Sequence, residues 1–404
     1  MLSASRRGWS GFFCSFILSA ISACSWTSSA SADERIWIEA KINGKPAKLI
    51  FDTGASEILL WRRSAEKFGL KVSRGAPDPN ESTATLRNSD DQLLSEWTEE
   101  ADLTAWDTAL RYSFGVLDTP DYLDSSLSEM DGLIGWRPFR NNIFLIDAAA
   151  DKAVPLDRVP KQMAGWTRLH ISTNDDVVIL EVPNPPDTAL KIRLDTGDSA
   201  GVYVSSRIWR EWRAAHPKAP TTLAAAYTPK TGKVTVMEES WADAIRLGSL
   251  TLKGVPIKEN IASGSSWDAT IGLAALKRLD CMIDGKRGVA YMRAKKTAAP
   301  PYSHNRIGAV FAPPEAPESG ELVAHALTDS PAYAAGVRDG DRLLKIDGHD
   351  LTKWNADPNL NDLINFEDSD RKRISCTLKR GDKTVEAIIV PRRILGPMSD
   401  PPNP

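Results

Sequence analysis

An aspartate, a threonine and a glycine stand together twice in this chain, as Asp52-Thr53-Gly54 and as Asp195-Thr196-Gly197, 143 residues apart. The flanks match as well. Lys48-Leu49-Ile50-Phe51 and Ala55-Ser56 enclose the first copy, and Lys191-Ile192-Arg193-Leu194 and Asp198-Ser199 enclose the second. A carboxylate at the end of an apolar strand, followed by a small hydroxyl residue and a glycine, sets an acid on a tight turn where another backbone can approach. Two such turns facing one another would hold two carboxyls too close to ionise together. They would share one proton and could activate a water held between them. A single Asp-x-Gly is ordinary turn chemistry, so the duplication carries the weight.

The duplication continues downstream. Glu100-Ala101-Asp102 corresponds to Trp241-Ala242-Asp243, Asp131-Gly132-Leu133-Ile134-Gly135 to Asp268-Ala269-Thr270-Ile271-Gly272, and Ile146-Asp147 to Ile283-Asp284. Each half reads as strand, Asp-Thr-Gly turn, hairpins, an apolar-apolar-Gly element and a closing strand. In these residues the chain resembles the aspartic proteases, and more narrowly the bacterial retropepsin-like proteins with two lobes in one chain. The resemblance implies a mainly β fold with a bilobal pair of β-barrels, a polypeptide substrate and no cofactor. Asp52 and Asp195 would be the catalytic pair. Thr53 and Thr196 would brace the turns against each other, with Gly54, Ser56, Gly197 and Ser199 in support. In that family the late glycine strand packs behind the catalytic turn. The position after the turn glycine is usually small or a hydroxyl residue. Ala55 conforms and Asp198 does not: a carboxyl there would modulate Asp195 by disfavouring its ionisation, unless it turns to solvent or meets a base.

Gly197-Asp198-Ser199-Ala200-Gly201 also fits G-x-S-x-G, the serine-hydrolase nucleophile pattern. That chemistry needs a strand-to-helix elbow and a base. Val202-Tyr203-Val204 reads as extended, none of the five histidines has a motif context, and the first half has no matching serine. A serine hydrolase at Ser199 is therefore a distant third reading. The second is a degenerate protease kept as a peptide-binding or scaffold protein.

The elements that must position these turns can be read from alternation. Trp37-Ile38-Glu39-Ala40-Lys41-Ile42 suits a half-buried strand, and Asn43-Gly44 signals a hairpin that delivers the strand ending at Asp52. One lobe is expected over 33–160 and the other over 161–293. Thr228 to Lys233 suits the tip of a hairpin flap, with Arg87 to Asp91 opposite it. A linker at 294–303 leads to a segment, 304–395, that resembles a small α+β bacterial PDZ domain. Its most specific stretch is Gly340-Asp341-Arg342-Leu343-Leu344-Lys345-Ile346-Asp347-Gly348. There Ile307, Gly308, Ala309 and Val310 would form the loop that holds peptide C-termini, and Leu360, Leu363 and Ile364 would lie on the groove helix. Residues 396–404 are proline-rich and expected to be disordered.

Arg6 and Arg7 precede an apolar run to Ala23 that is too short to span a bilayer, so residues 1–23 read as an export signal. Ile21-Ser22-Ala23-Cys24 resembles a lipobox, with Cys24 as the lipidated residue and the protein anchored in the periplasm. Cleavage after Ala32 is the rival. Beyond Cys24 only Cys281 and Cys376 remain, in different segments, so no disulfide framework is expected. The histidines lack metal-ligand spacing, which disfavours zinc chemistry, and a net charge of −3 gives no footprint for nucleic acid.

Overall fold

The computed structural model describes residues 35–75, 96–118, 129–172, 176–183, 189–228, 233–247, 249–260, 267–296, 302–314, 321–352, 354, 360, 363–367 and 371–396. The signal with Cys24, the stretch from Arg87 to Asp91, and the end of the chain from 397 lie outside them. Half of the described residues are strand and 12% are helix, so the fold is mainly β, as the alternation and the duplicated motif indicated.

Among the described residues the first sheet has nine strands: β1 (Trp37–Ile42), β2 (Lys45–Asp52), β3 (Leu59–Trp61), β4 (Val72–Arg74), β5 (Glu96–Thr98), β6 (Ala101–Ala105), β7 (Thr108–Tyr112), β8 (Gly115–Leu117) and β9 (Gly132–Gly135). The second has twelve: β10 (Ile143–Asp147), β11 (Lys152–Leu156), β12 (Thr167–Ile171), β13 (Ile179–Val182), β14 (Leu190–Leu194), β15 (Val202–Ser205), β16 (Thr221–Thr228), β17 (Lys233–Leu247), β18 (Leu250–Asn260), β19 (Ala269–Ile271), β20 (Leu279–Asp284) and β21 (Val289–Ala294). A third sheet takes in β22 (Ala309–Ala312), β23 (Leu322–Ala326), β24 (Arg342–Ile346), β25 (His349–Asp350), β26 (Ile374–Arg380) and β27 (Lys383–Ile389).

The hairpin expected at Asn43-Gly44 is present. Both residues have positive φ, 48° and 77°, as a two-residue turn of primed type requires, and β1 pairs with β2 from Ile42↔Lys45 outward. The alternation of β1 buries Ile38, Ala40 and Ile42 and leaves Glu39 and Lys41 in solvent. The strand carrying Asp52 is thereby fixed in register, because a slip of one residue would turn that apolar set outward. Phe51 anchors its end. It is fully buried and meets Trp106 and Phe144 at ring separations of 5.2 and 5.0 Å, and Phe144 lies on β10 of the second sheet. Burying such a ring is worth roughly 1.5–3 kcal/mol, applied one bond from the first aspartate.

The sequence repeat reappears as a repeat of pairing. β2 runs parallel to β9, β9 antiparallel to β3, and β3 parallel to β8. In the second sheet β14 runs parallel to β19, β19 antiparallel to β15, and β15 parallel to β18. The repeated aspartates do the same work in each. Asp131 Oδ2 accepts from Lys48 N at 2.9 Å and Asp268 Oδ2 accepts from Lys191 N at 3.0 Å, so each carboxylate ties the glycine strand to the strand bearing the turn. Hairpin β16–β17 pairs through Thr228↔Lys233, and residues 229–232, the rest of the expected flap tip, lie outside the described residues. Between β25 and β26 Ile364 is buried in the core that lies against the third sheet, and Leu360 and Leu363 pack against that core.

Candidate active site

Asp52 closes β2 and Asp195 follows β14 directly, so each aspartate sits where a strand gives way to a turn. The turns clasp one another. Thr53 N donates to Thr196 Oγ1 at 3.0 Å and Thr196 N donates to Thr53 Oγ1 at 3.1 Å. Each hydroxyl in turn donates across the join, Thr53 Oγ1 to Leu194 O at 2.8 Å and Thr196 Oγ1 to Phe51 O at 2.6 Å. A hydroxyl is needed in both places because the side chain must donate and accept at once. The carboxyls are held from below: Gly54 N and Ala55 N donate to Asp52 Oδ1 at 2.8 and 3.1 Å, and Gly197 N to Asp195 Oδ1 at 3.1 Å. A Cβ on Gly54 would stand 2.4 Å from Asp195 Cγ, and one on Gly197 2.4 Å from Asp52 Cγ. Only glycine leaves room for the carboxyl of the opposite turn. Burial, then the charge of Asp195 and a hydrogen bond to it, hold the Asp52 carboxyl well above the usual carboxylate range.

Residues 38–93 match a family described as Aspartyl protease. The aspartyl-protease match takes in most of β1, all of β2 and the first Asp-Thr-Gly, and it ends before the second copy. No curated protein matches the chain.

The second turn carries charges that the first lacks. Asp198 is buried, with Oδ1 accepting from Ala200 N at 2.8 Å, so it turns neither to solvent nor away from its neighbours. Burial and the charge of Asp195 push it up to about 7, against the opposing pull of Lys258 and Arg193. Arg193 is 2% exposed; its Nη2 lies 2.7 Å from Asp195 Oδ2, and its guanidinium lies 4.8 Å from the centroid of the Trp267 ring. Strand alternation hides this arginine. Arg193 shares a face of β14 with exposed Lys191, and reads as a solvated charge until Trp267 is seen to cover it. A signal was nonetheless present in the difference between the two turns: Arg193 and Asp198 stand where the first turn has Ile50 and Ala55, and a buried acid calls for a base.

More polar residues extend the site sideways. Arg193, Thr270, Tyr203, Lys258, Glu239 and Thr222 are successive partners across β14, β19, β15, β18, β17 and β16, and so project from one face of the sheet. All six are buried. The Lys258 ammonium lies 4.6 Å from the centroid of the Tyr203 ring, and burial raises both the Tyr203 hydroxyl and the Glu239 carboxyl, with Asp198 next in raising the former. Tyr302 OH donates to Glu239 Oε1 at 2.6 Å and Thr222 Oγ1 to Asn305 O at 2.7 Å, so the row ends against the segment that enters the third sheet. Cross-strand register, which a single sequence does not display, is what brings these residues into line.

Of the supporting serines, Ser56 is buried and Ser199 half-buried. After Ser199 the chain runs on as β15, and the next helix opens only at Ser206, which removes the elbow a serine nucleophile needs. In the third sheet Ile307 N and Gly308 N both donate to Asn305 Oδ1 at 3.0 Å. Two of the four residues expected to greet a peptide carboxylate thus have their amides engaged by that side chain. Val310 and Ala312 pack with Leu223 and Ala225 of β16. Asn two residues before a turn is a known local acceptor pattern, and Asn305 was readable on that ground.

Proposed function

We propose that the chain is an exported aspartic endopeptidase in which Asp52 and Asp195 work as a general acid and base on one water. The observation that carries this reading is the reciprocal threonine clasp, with each carboxyl lying over the glycine of the other turn. Two carboxyls held that way share a proton, so one can accept from water while the other donates to the carbonyl oxygen of a peptide bond. Polypeptide is the substrate that an aspartyl-protease match implies. Export follows from residues 1–23, with lipidation at Cys24 as the favoured anchor, and the segment 304–395 serves as a PDZ-like module for peptide recognition or regulation. A peptide C-terminus would reach the amides of Ile307 and Gly308 only by displacing Asn305 Oδ1.

The test is a peptide-library digest by the mature protein across pH, beside Asp52→Asn and Asp195→Asn. Each variant should abolish cleavage while keeping the circular dichroism of the parent. Full activity in either would remove the aspartic mechanism. The second reading, a protease-like scaffold without turnover, is favoured by the arginine bound to Asp195. It would stand if the parent bound peptides without cutting them.

A further inference from the structure

The two turns are alike in backbone and unlike in charge. Beside Asp52 the chain places buried Ile50 and Ala55; beside Asp195 it places buried Arg193 and Asp198. A guanidinium 2.7 Å from one carboxylate of a proton-sharing pair makes the pair unequal, because ionisation beside the cation is favoured and ionisation away from it is not. Asp52 accepts from the amides of Gly54 and Ala55 and faces Asp195; the charge of Arg193 also acts on it, behind the effects of burial and Asp195, while the guanidinium itself lies against Asp195.

We propose that Arg193 is the positioning residue that makes Asp195 the ionised member of the pair and leaves the shared proton on Asp52. This rests on the peptidase reading and gives each carboxyl its part. Asp195 takes a proton from water as the water oxygen bonds to the peptide carbonyl carbon, and Asp52 gives its proton to the carbonyl oxygen. Collapse of that diol breaks the C–N bond: Asp195 passes its proton to the leaving nitrogen, and Asp52 recovers one from a diol hydroxyl. Water and a peptide bond become an acid and an amine, and both carboxyls return to their starting states. Arg193 touches no reacting atom and acts through Asp195. The other groups around Asp195 are Asp198 on the same turn and, across the sheet, Tyr203, Lys258 and Glu239; an ionised Asp198 works against the assignment, and the charges of Lys258 and Arg193 oppose that effect.

The experiment follows carboxyl carbons by NMR in the mature protein labelled at aspartate, with Asp52→Asn and Asp195→Asn to assign the pair. Asp195 should ionise first, at the lower pH, in the parent and in Arg193→Lys, and this order should be lost in Arg193→Met. In cleavage assays Arg193→Met should move the acidic limb of kcat/KM upward by about one to three pH units, the size of an opposite charge at close range. Arg193→Lys should restore most of that shift. Should Arg193→Met fail to fold, Arg193→Ile, which carries the residue of the first turn, serves in its place. Unchanged ionisation order and an unchanged acidic limb without the arginine would overturn the proposal. The NMR titration needs no turnover, so an inactive parent would refute the peptidase reading and leave the effect of Arg193 on the pair measured separately.

Discussion

Replacing Asp198 by Asn should make the protein less sensitive to alkaline destabilisation, by an amount the site allows to be worked out. The carboxyl is 4% exposed, and its burial beside Asp195 pushes it from the ordinary 3.8 up to about 7. A carboxyl that binds its proton more tightly when folded stabilises the fold fully below its unfolded value, and that contribution drains away as pH rises toward the folded value. Three units correspond to roughly 4 kcal/mol, lost between about pH 4 and pH 7. Asparagine keeps an oxygen for Ala200 N and does not titrate. The stability difference between Asp198→Asn and the parent should therefore grow in favour of the variant by about 4 kcal/mol from pH 4 to pH 8. Urea unfolding at single-unit pH steps measures it, the remaining titrating groups being common to both proteins. A difference that stays flat across that range would refute the reasoning and mean that water reaches Asp198 in solution.

Three other outcomes follow from named contacts. Thr196→Val should cost roughly 2–4 kcal/mol, since it deletes an acceptor for Thr53 N and a donor to Phe51 O, while Thr196→Ser should recover most of the loss in the same denaturation assay. Peptides with free C-termini should bind more tightly to Asn305→Ala than to the parent in calorimetry if the loop from Ile307 to Val310 is a carboxylate site, and amidated peptides should show no such gain. Mass spectrometry of the protein from its native membrane should find diacylglycerol on Cys24; a free N-terminus at Asp33 would exclude lipidation.

What the sequence disclosed and what it hid follow from the range of the interactions concerned. The turn at Asn43-Gly44, the strand alternation of β1 and the two Asp-Thr-Gly copies are local patterns, and the structure forms them where the pattern lies. The equivalence of Asp131 and Asp268 was also visible as a repeat. Their shared task, accepting from the amide of a lysine on the neighbouring strand, became clear only with the strands paired. Lys258 and Glu239 carry no local signal, because they are separated in sequence and meet through the register of β17 with β18. Arg193 is hidden for a different reason: it belongs to what distinguishes the two turns and not to the repeat that they share.

That difference between the turns also bears on the working range of the site. Four carboxyls, Asp52, Asp195, Asp198 and Glu239, lie buried with two cations, Arg193 and Lys258. Uncompensated charge in a dry interior is costly, so this face of the sheet favours keeping two protons among the four acids. Asp52, Asp198 and Glu239 all hold a proton more tightly than ordinary carboxyls do, with burial the first cause in each. As pH rises, Asp198 reaches its midpoint at about 7 and adds a negative charge facing Asp195. A pair ringed by apolar residues, like Ile50 and Ala55 at the first turn, would lack this step. The charged second turn thus ties the protonation of the Asp52 and Asp195 pair to a neighbour that titrates near neutrality. Removing Asp198 should shift the active range toward acid, whereas removing Arg193 should shift its acidic limb toward neutral. Opposite displacements from two residues on one turn would separate an electrostatic effect from a loss of folding, which would lower activity in both without moving either limb.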